Sequence, residues 1–401
     1  MKKSSLLLAG LLLSVLTFAF GTNHGFNEVF GPLFHPAPNV PPLAGPSQGL
    51  DSLHRWNVIA INATGLDHTP VAPGENRVFG EQFGPGRASR AMAIVHIAMF
   101  DALDAVVGGY TSYTGTQVAH GPVSVDAAIS QAARDTLAAV FPSQTATFDA
   151  YLAEDLAGVR NPQQKANGID LGHRTAAAIL AMRLNDDSQV PDPTIGVDYF
   201  PSDQPRHWRQ DPISLIPLAI GAHWGECIPF VVNSPTQFRA PPPPDMTSSA
   251  YAAAYNEVKN VGGDGVVTPT QRTEEQTFIG TFWAYDATPS LCAPPRLYNQ
   301  VTVQIADQRR FSAIQFARLL ALVNVAMADA AMTIWESKYH YDFWRPILGT
   351  RESDPGTGPT GLGDGNPDTI GDPNFMPLGA PASNLNGPNF TPPFPAYPSG
   401  H

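Results

Sequence analysis

Residues 311–346 read FSAIQFARLLALVNVAMADAAMTIWESKYHYDFWRP, and the pattern within them decides the fold class. Ile314, Phe316, Leu319, Leu320, Leu322, Val323, Val325, Met327, Ala331 and Ile334 put apolar side chains on nearly every face of one long helix. Such a helix lies either at the centre of a large helical domain or in a membrane. Arg318, Asn324 and Asp329 interrupt it, and each would be costly in lipid. The stretch therefore predicts a buried helix over 311–343 with other helices packed around it.

Outward from this stretch, apolar residues keep recurring at helical spacing. Met92, Val95, Met99, Leu103 and Val106 mark a helix over 87–107, stopped by Gly108-Gly109. Further helices are expected over 125–141, 144–159, 162–184, 248–261, 270–286 and 294–308. Pro-rich connector fills 190–247 and ends in the run Pro241–Pro244. No alternating run is long enough to define a sheet, and no internal repeat is visible. The expected architecture is all-α, two packed helical bundles with long Pro/Gly-rich loops. Residues 22–84 read as an N-terminal arm and loops, 85–247 as the first bundle with its connector, and 248–401 as the second.

The chain has 401 residues, long enough for a large core, with 14% charged residues and a formal net charge of −12. No block of Lys and Arg lies beyond the N-terminus, so the sequence offers no nucleic-acid surface. Two cysteines, Cys227 and Cys292, exclude a disulfide framework and a Cys-based zinc site. At the start, Lys2 and Lys3 precede an apolar run from Leu6 to Phe20, shorter than the ~20 residues of a membrane span. Small residues at Ala19 and Gly21 suit signal cleavage after Gly21, making 1–21 a signal peptide. The expectation is an exported protein, periplasmic or secreted, with no stable membrane span after cleavage. Export leaves a Cys227–Cys292 pairing open.

The chemistry lies at the end of the long helix. Lys338 and Arg345 are seven residues apart, two helical turns to within about 20°, so both cations are expected on one face. Two co-facial cations make an anion site, Arg as a planar fork and Lys as a point charge. Pro346 disfavours α geometry at Arg345, where the helix is expected to end. Pro398-Ser399-Gly400-His401 resembles a loop turning into a helix N-terminus, where a hydroxyl and free N–H groups hold an anion. His401 would stand beside that anion as an acid/base. The long Pro/Gly-rich loop over 349–397 ties the two elements together. Within it, Asp364, Asn366 and Asp368 alternate as calcium ligands do, without the bidentate Glu. A polar turn is the main reading there, and a structural calcium the other. His96, His223 and His340 read as hydrogen-bonded packing residues. Ser399 and His401 are two apart with no nucleophile elbow, which disfavours a serine hydrolase, and no His-Glu-x-x-His pair marks a metal enzyme.

Lys338-x6-Arg345-Pro346 followed by Pro398-Ser399-Gly400-His401 resembles the first two signature motifs of the vanadium-dependent haloperoxidases, a superfamily shared with type-2 phosphatidic acid phosphatases. The segments Phe282–Asp286, Pro294–Gln300 and Thr391–Tyr397 extend the resemblance over about 250–401, with a looser likeness before that. The resemblance implies that family's fold of two helical bundles. It implies vanadate as cofactor, its oxygens held by Lys338, Arg345, Ser399 and the Gly400 backbone N–H. It makes His401 the acid/base that takes a proton from hydrogen peroxide, with Lys338 polarising the bound peroxide. Halide is then oxidised to hypohalous acid, which reacts with a small organic substrate. Asp286 is implied to pair with Arg345, and Trp335 and Phe394 to shape the halide pocket. The family's third motif, a Ser-Arg followed by the vanadium-ligating His, belongs downstream of Ser-Gly-His. The reading is thus of a C-terminally incomplete haloperoxidase, inactive in this 401-residue form because the metal-ligating His is absent. Two alternatives stay open: an exported acid phosphatase using the same pocket, and a non-enzymatic exported helical protein with a remnant anion site.

Overall fold

Helix ends in this protein are set by caps that the sequence carries openly. In the computed structural model, which describes residues 38–43, 48–379 and 390–401, ten α-helices and no strand are found among the described residues. The signal peptide expected over 1–21 lies outside those residues. The first helices are α1 (Leu50–Asp67), α2 (Gly84–Val107), α3 (Val125–Val140), α4 (Thr145–Gly158) and α5 (Pro162–Met182). The second set is α6 (Ser249–Gly262), α7 (Glu274–Trp283), α8 (Pro295–Arg309), α9 (Ala313–Tyr341) and α10 (Pro346–Glu352). Ser124 caps α3 through the Ala127 N–H, Asn161 caps α5 through Gln163 and Gln164, and Thr273 with Gln276 forms a capping box on α7.

Helix α9 is the central element that its sequence predicts. It packs against α2, α8 and α1, and α2 in turn packs against α3 and α5. One contiguous apolar core runs through these helices, with Leu53, Trp56, Ile94, Met99, Ile129, Leu137, Phe316, Leu320 and Met332 all buried. Of the polar interruptions of α9, Arg318 is exposed, while Asn324 and Asp329 are buried and bond to backbone. Asn324 donates to the Leu320 carbonyl at 2.8 Å. The Asp329 carboxylate accepts the backbone N–H groups of Phe230, Val231 and Val232 at 2.6–3.0 Å, which ties the Pro-rich connector to the helix.

Three expectations are corrected. The arm expected over 22–84 contains α1, whose Leu53, Trp56, Ile59 and Ala60 line up on the core while Ser52, Arg55 and Asn57 are buried as well. With polar residues on its buried faces, the helix shows no clean amphipathic stripe. Second, the helix expected to run to Arg345 ends at Tyr341, because Asp342 turns into the left-handed region (φ 48°). Third, the loop expected over 349–397 begins inside α10, which Pro346 opens at its first position. The two cysteines are free and buried, Cys227 in the main core and Cys292 beside Ala88 and Ala293, so no disulfide joins them.

Candidate active site

Two helix ends and one extended segment converge on a cavity of about 420 Å³, a size suited to a small ligand. Lys338, Arg345, Ser399, Gly400 and His401 all line it, together with Asp286, Trp335 and Phe394. Every site residue read from the sequence is therefore in one place, although the route differs from the one expected.

Lys338 comes from the last turn of α9 and is only 2% exposed. Its ammonium donates to the carbonyl oxygens of Pro395 and Ala396, both at 3.1 Å, and to that of Pro398. Burial, then the Arg345 charge, pushes its pKa well below the ordinary lysine value, with Asp286 opposing. Arg345 does not share that helix face. It is the extended N-cap residue of α10 (φ −78°, ψ 152°) and enters the cavity from a second element. Its Nε donates to the Phe394 carbonyl at 2.8 Å, and its guanidinium lies 4.7 Å from the centre of the Phe394 ring. Among the described residues its two terminal nitrogens carry no hydrogen bond, so they are the donors left for a ligand. Burial lowers its pKa to about 10 against the opposing pull of Asp286.

Asp286 follows α7 in a tight loop whose Ala287, Ser290 and Cys292 all have positive φ. Burial raises its carboxyl to about 6, and the attraction of Arg345 and Lys338 offsets only part of that. His401 donates its backbone N–H to Ser399 Oγ at 3.3 Å, and its carbonyl accepts the Tyr298 hydroxyl at 3.2 Å. Desolvation and the nearby Lys338 and Arg345 charges lower the imidazole pKa, against a hydrogen bond to the Tyr285 backbone. Residues 390–401 form no helix, so the helix start expected at Ser399 is not seen among the described residues. The anion donors there are an extended segment pinned by Lys338.

Trp335 and Phe394 form the apolar wall, their ring centres 5.0 Å apart, with the Trp335 indole donating to the Ile220 carbonyl at 3.0 Å. Tyr298 was not singled out by the sequence reading. It joins the cavity from the first turn of α8, which Pro295 opens. Histidines elsewhere serve packing and surface roles. His96 is buried, with Nδ1 2.7 Å from the Met92 carbonyl and Nε2 2.8 Å from the Asn57 side-chain amide. His223 lies 3.5 Å from Glu226, and His340 stacks edge-on against Tyr341. The Asp364–Asp368 segment is a polar turn: both Asp364 oxygens accept the Thr369 hydroxyl, at 2.9 and 2.8 Å, and Asn366 Oδ1 accepts the Asp368 N–H. The side-chain oxygens of Asp364 and Asn366 are thus engaged by the chain itself.

The all-α fold and the cationic cavity resemble those of the vanadium haloperoxidases. Residues 318–401, which hold both cationic elements, match the family model of the VCPO second helical-bundle domain. The chain is 29% identical over 405 aligned residues to the vanadium chloroperoxidase of Curvularia inaequalis, covering 86% of this chain. The chain spans 62% of that relative's length. Its fold is that of a bacterial vanadium-dependent iodoperoxidase (TM-score 0.65, 20% identity, 88% of this chain and 77% of the other). A bacterial vanadium-dependent chloroperoxidase in its apo form is also similar (TM-score 0.51, 15% identity, 70% and 68% covered).

Proposed function

We propose that this chain supplies the anion cavity of a vanadate-dependent haloperoxidase, which oxidises halide with hydrogen peroxide to hypohalous acid for reaction with a small organic substrate. The observation that carries the reading is the meeting of Lys338, Arg345, Ser399, Gly400 and His401 in one cavity. The donor set fits vanadate, a tetrahedral oxyanion: a guanidinium with two nitrogens uncommitted among the described residues, a hydroxyl, a backbone N–H and a second cation. Arg345, Ser399 and Gly400 would hold its oxygens, and Lys338 would add charge from behind them. When bound, vanadate supplies Lewis-acid activation of hydrogen peroxide without changing oxidation state.

The chain's own residues do the rest. Lys338 fixes the carbonyls of Pro395, Ala396 and Pro398 and so the position of Ser399 and His401. His401, with a pKa held below its ordinary 6.5, is an unprotonated base at neutral pH and takes a proton from hydrogen peroxide at a ring nitrogen. Trp335 and Phe394 keep water off the reacting side of the cavity. Preorganised cations aimed at developing negative charge are the main source of rate in such a site. The basic start and apolar run of residues 2–20 support export of the protein.

The test is bromination of a phenol-type dye by the full-length gene product, with hydrogen peroxide and with or without orthovanadate. Vanadate-dependent bromination that is lost in His401→Ala is the expected result. Absence of bromination, with vanadate instead inhibiting hydrolysis of a phosphate monoester, would assign the cavity to a phosphatase.

A further inference from the structure

Arg345 reaches the cavity because the chain turns sharply after Lys338, and that turn is held from outside the site. Asp342 takes left-handed backbone geometry, with φ 48° and ψ 41°. Residues 206–208 run antiparallel beside the turn. The Trp208 N–H donates to the Asp342 carbonyl at 2.9 Å, the Trp344 N–H donates to the Arg206 carbonyl at 2.7 Å, and His207 faces Phe343 between them. On the other side, the Phe343 carbonyl accepts the Ala396 N–H at 2.9 Å. The 206–208 strap, the turn that delivers Arg345 and the segment that leads to Ser399 thus lie side by side.

One side-chain pair locks this arrangement. His207 Nδ1 lies 2.8 Å from Asp342 Oδ2. The other carboxylate oxygen, Asp342 Oδ1, is buried and has no hydrogen-bond partner among the described residues. His207 is therefore the one side chain that orients this carboxylate among the described residues. Neither residue lines the cavity. The side chain of His207 is 37% exposed, so its replacement leaves the core intact.

We propose that His207 is a positioning residue: through Asp342 it fixes the turn that aims the Arg345 guanidinium at the bound oxyanion. The proposal rests on the reading of the cavity as an oxyanion site. The test is orthovanadate binding to the intact protein by isothermal titration, alongside the thermal unfolding midpoint. His207→Ala is expected to bind orthovanadate about fivefold more weakly with little change in midpoint, as loss of one part-exposed hydrogen bond implies. His207→Gln, which keeps a donor toward Asp342, restores most of the affinity. Asp342→Gly keeps the left-handed turn, loses the carboxylate and weakens binding as His207→Ala does. Asp342→Asn, which tolerates the same turn and keeps an acceptor, stays close to wild type. Wild-type affinity in His207→Ala overturns the proposal while the cavity reading stands. Equal weakening in the Ala and Gln variants also overturns it, in favour of simple packing. A wild-type protein that binds no orthovanadate at all removes both the cavity reading and the proposal.

Discussion

Lys338 and Arg345 hold the same short segment from two different helices. Lys338, in the last turn of α9, binds the carbonyls of Pro395, Ala396 and Pro398, while Arg345, just before α10, binds the carbonyl of Phe394. The two cations therefore do two things at once. They supply the positive field of the cavity, and they fix the backbone that carries Ser399, Gly400 and His401.

This double role gives the first prediction. Lys338→Met keeps the volume but leaves three carbonyl acceptors without their donor. An unsatisfied buried acceptor costs about 1–3 kcal/mol, and removal of a buried cation returns part of that. We expect a net loss of about 1–3 kcal/mol in unfolding free energy, on the same principle. We also expect orthovanadate to lose its stabilising effect. Thermal scans with and without orthovanadate check both, and a variant that keeps the wild-type vanadate-induced rise in midpoint contradicts the assignment.

Asp286 gives a prediction with a defined sign. Its carboxyl is raised from 3.8 to about 6, mainly by burial, so it is neutral below pH 6 and ionised above. Ionisation places a negative charge beside Lys338 and Arg345 and weakens anion binding. Sulfate, whose charge is constant over this range, should bind more weakly as the pH rises through 6. In Asp286→Asn the decline should flatten, with tighter binding than wild type at pH 7.5 and equal binding at pH 5. Sulfate titrations at those two pH values decide it, and parallel curves for the two proteins would remove Asp286 as the titrating group.

The cavity's membership was legible in the sequence and its geometry was not. The spacing of Lys338 and Arg345 suggested one helix face, and Pro346 gave the correct warning that α geometry fails at Arg345. What no local rule supplied was the earlier break at Asp342, a non-glycine residue held in left-handed geometry by contacts with residues more than 130 positions away. The buried central helix was readable because its apolar residues cover all faces. Helix α1 was not, because its buried Ser52, Arg55 and Asn57 imitate a surface. Arg55 is paired with Asp155 at 2.8 Å, a partner that only the folded chain brings near.

His96 tests the acid side of stability. Burial lowers its pKa from 6.5 to about 4, so the native protein holds it neutral while the unfolded chain protonates it below 6.5. Stability is therefore present above pH 6.5 and is lost as the pH falls toward 4, by at most about 3 kcal/mol from this group. Burial lowers His68 to about 4 as well, and it adds a loss of the same sign. Because carboxyls raised by burial act in the opposite direction, the difference between wild type and His96→Gln isolates the His96 contribution. That difference, from urea unfolding, should be clearly smaller at pH 4.5 than at pH 7. An unchanged difference would mean that His96 is charged in the native state.

The wall of the cavity depends on Gly221. This residue has φ of +75°, and a Cβ placed on it would overlap the indole of Trp335. Both constraints point the same way, since a side chain here strains the backbone and displaces the ring. Trp335 cannot simply swing away, because its indole N–H is held by the carbonyl of Ile220, next in the chain to Gly221, and its ring packs on Phe394. Gly221→Ala should therefore cost about 1–3 kcal/mol of stability, the usual range for overpacking. It should also alter the tryptophan fluorescence of the folded protein. Trp335→Phe in the Gly221→Ala background removes part of the overlapping indole and should recover some of the lost stability. If the double variant is less stable than Gly221→Ala alone, the clash with Trp335 is not the cause.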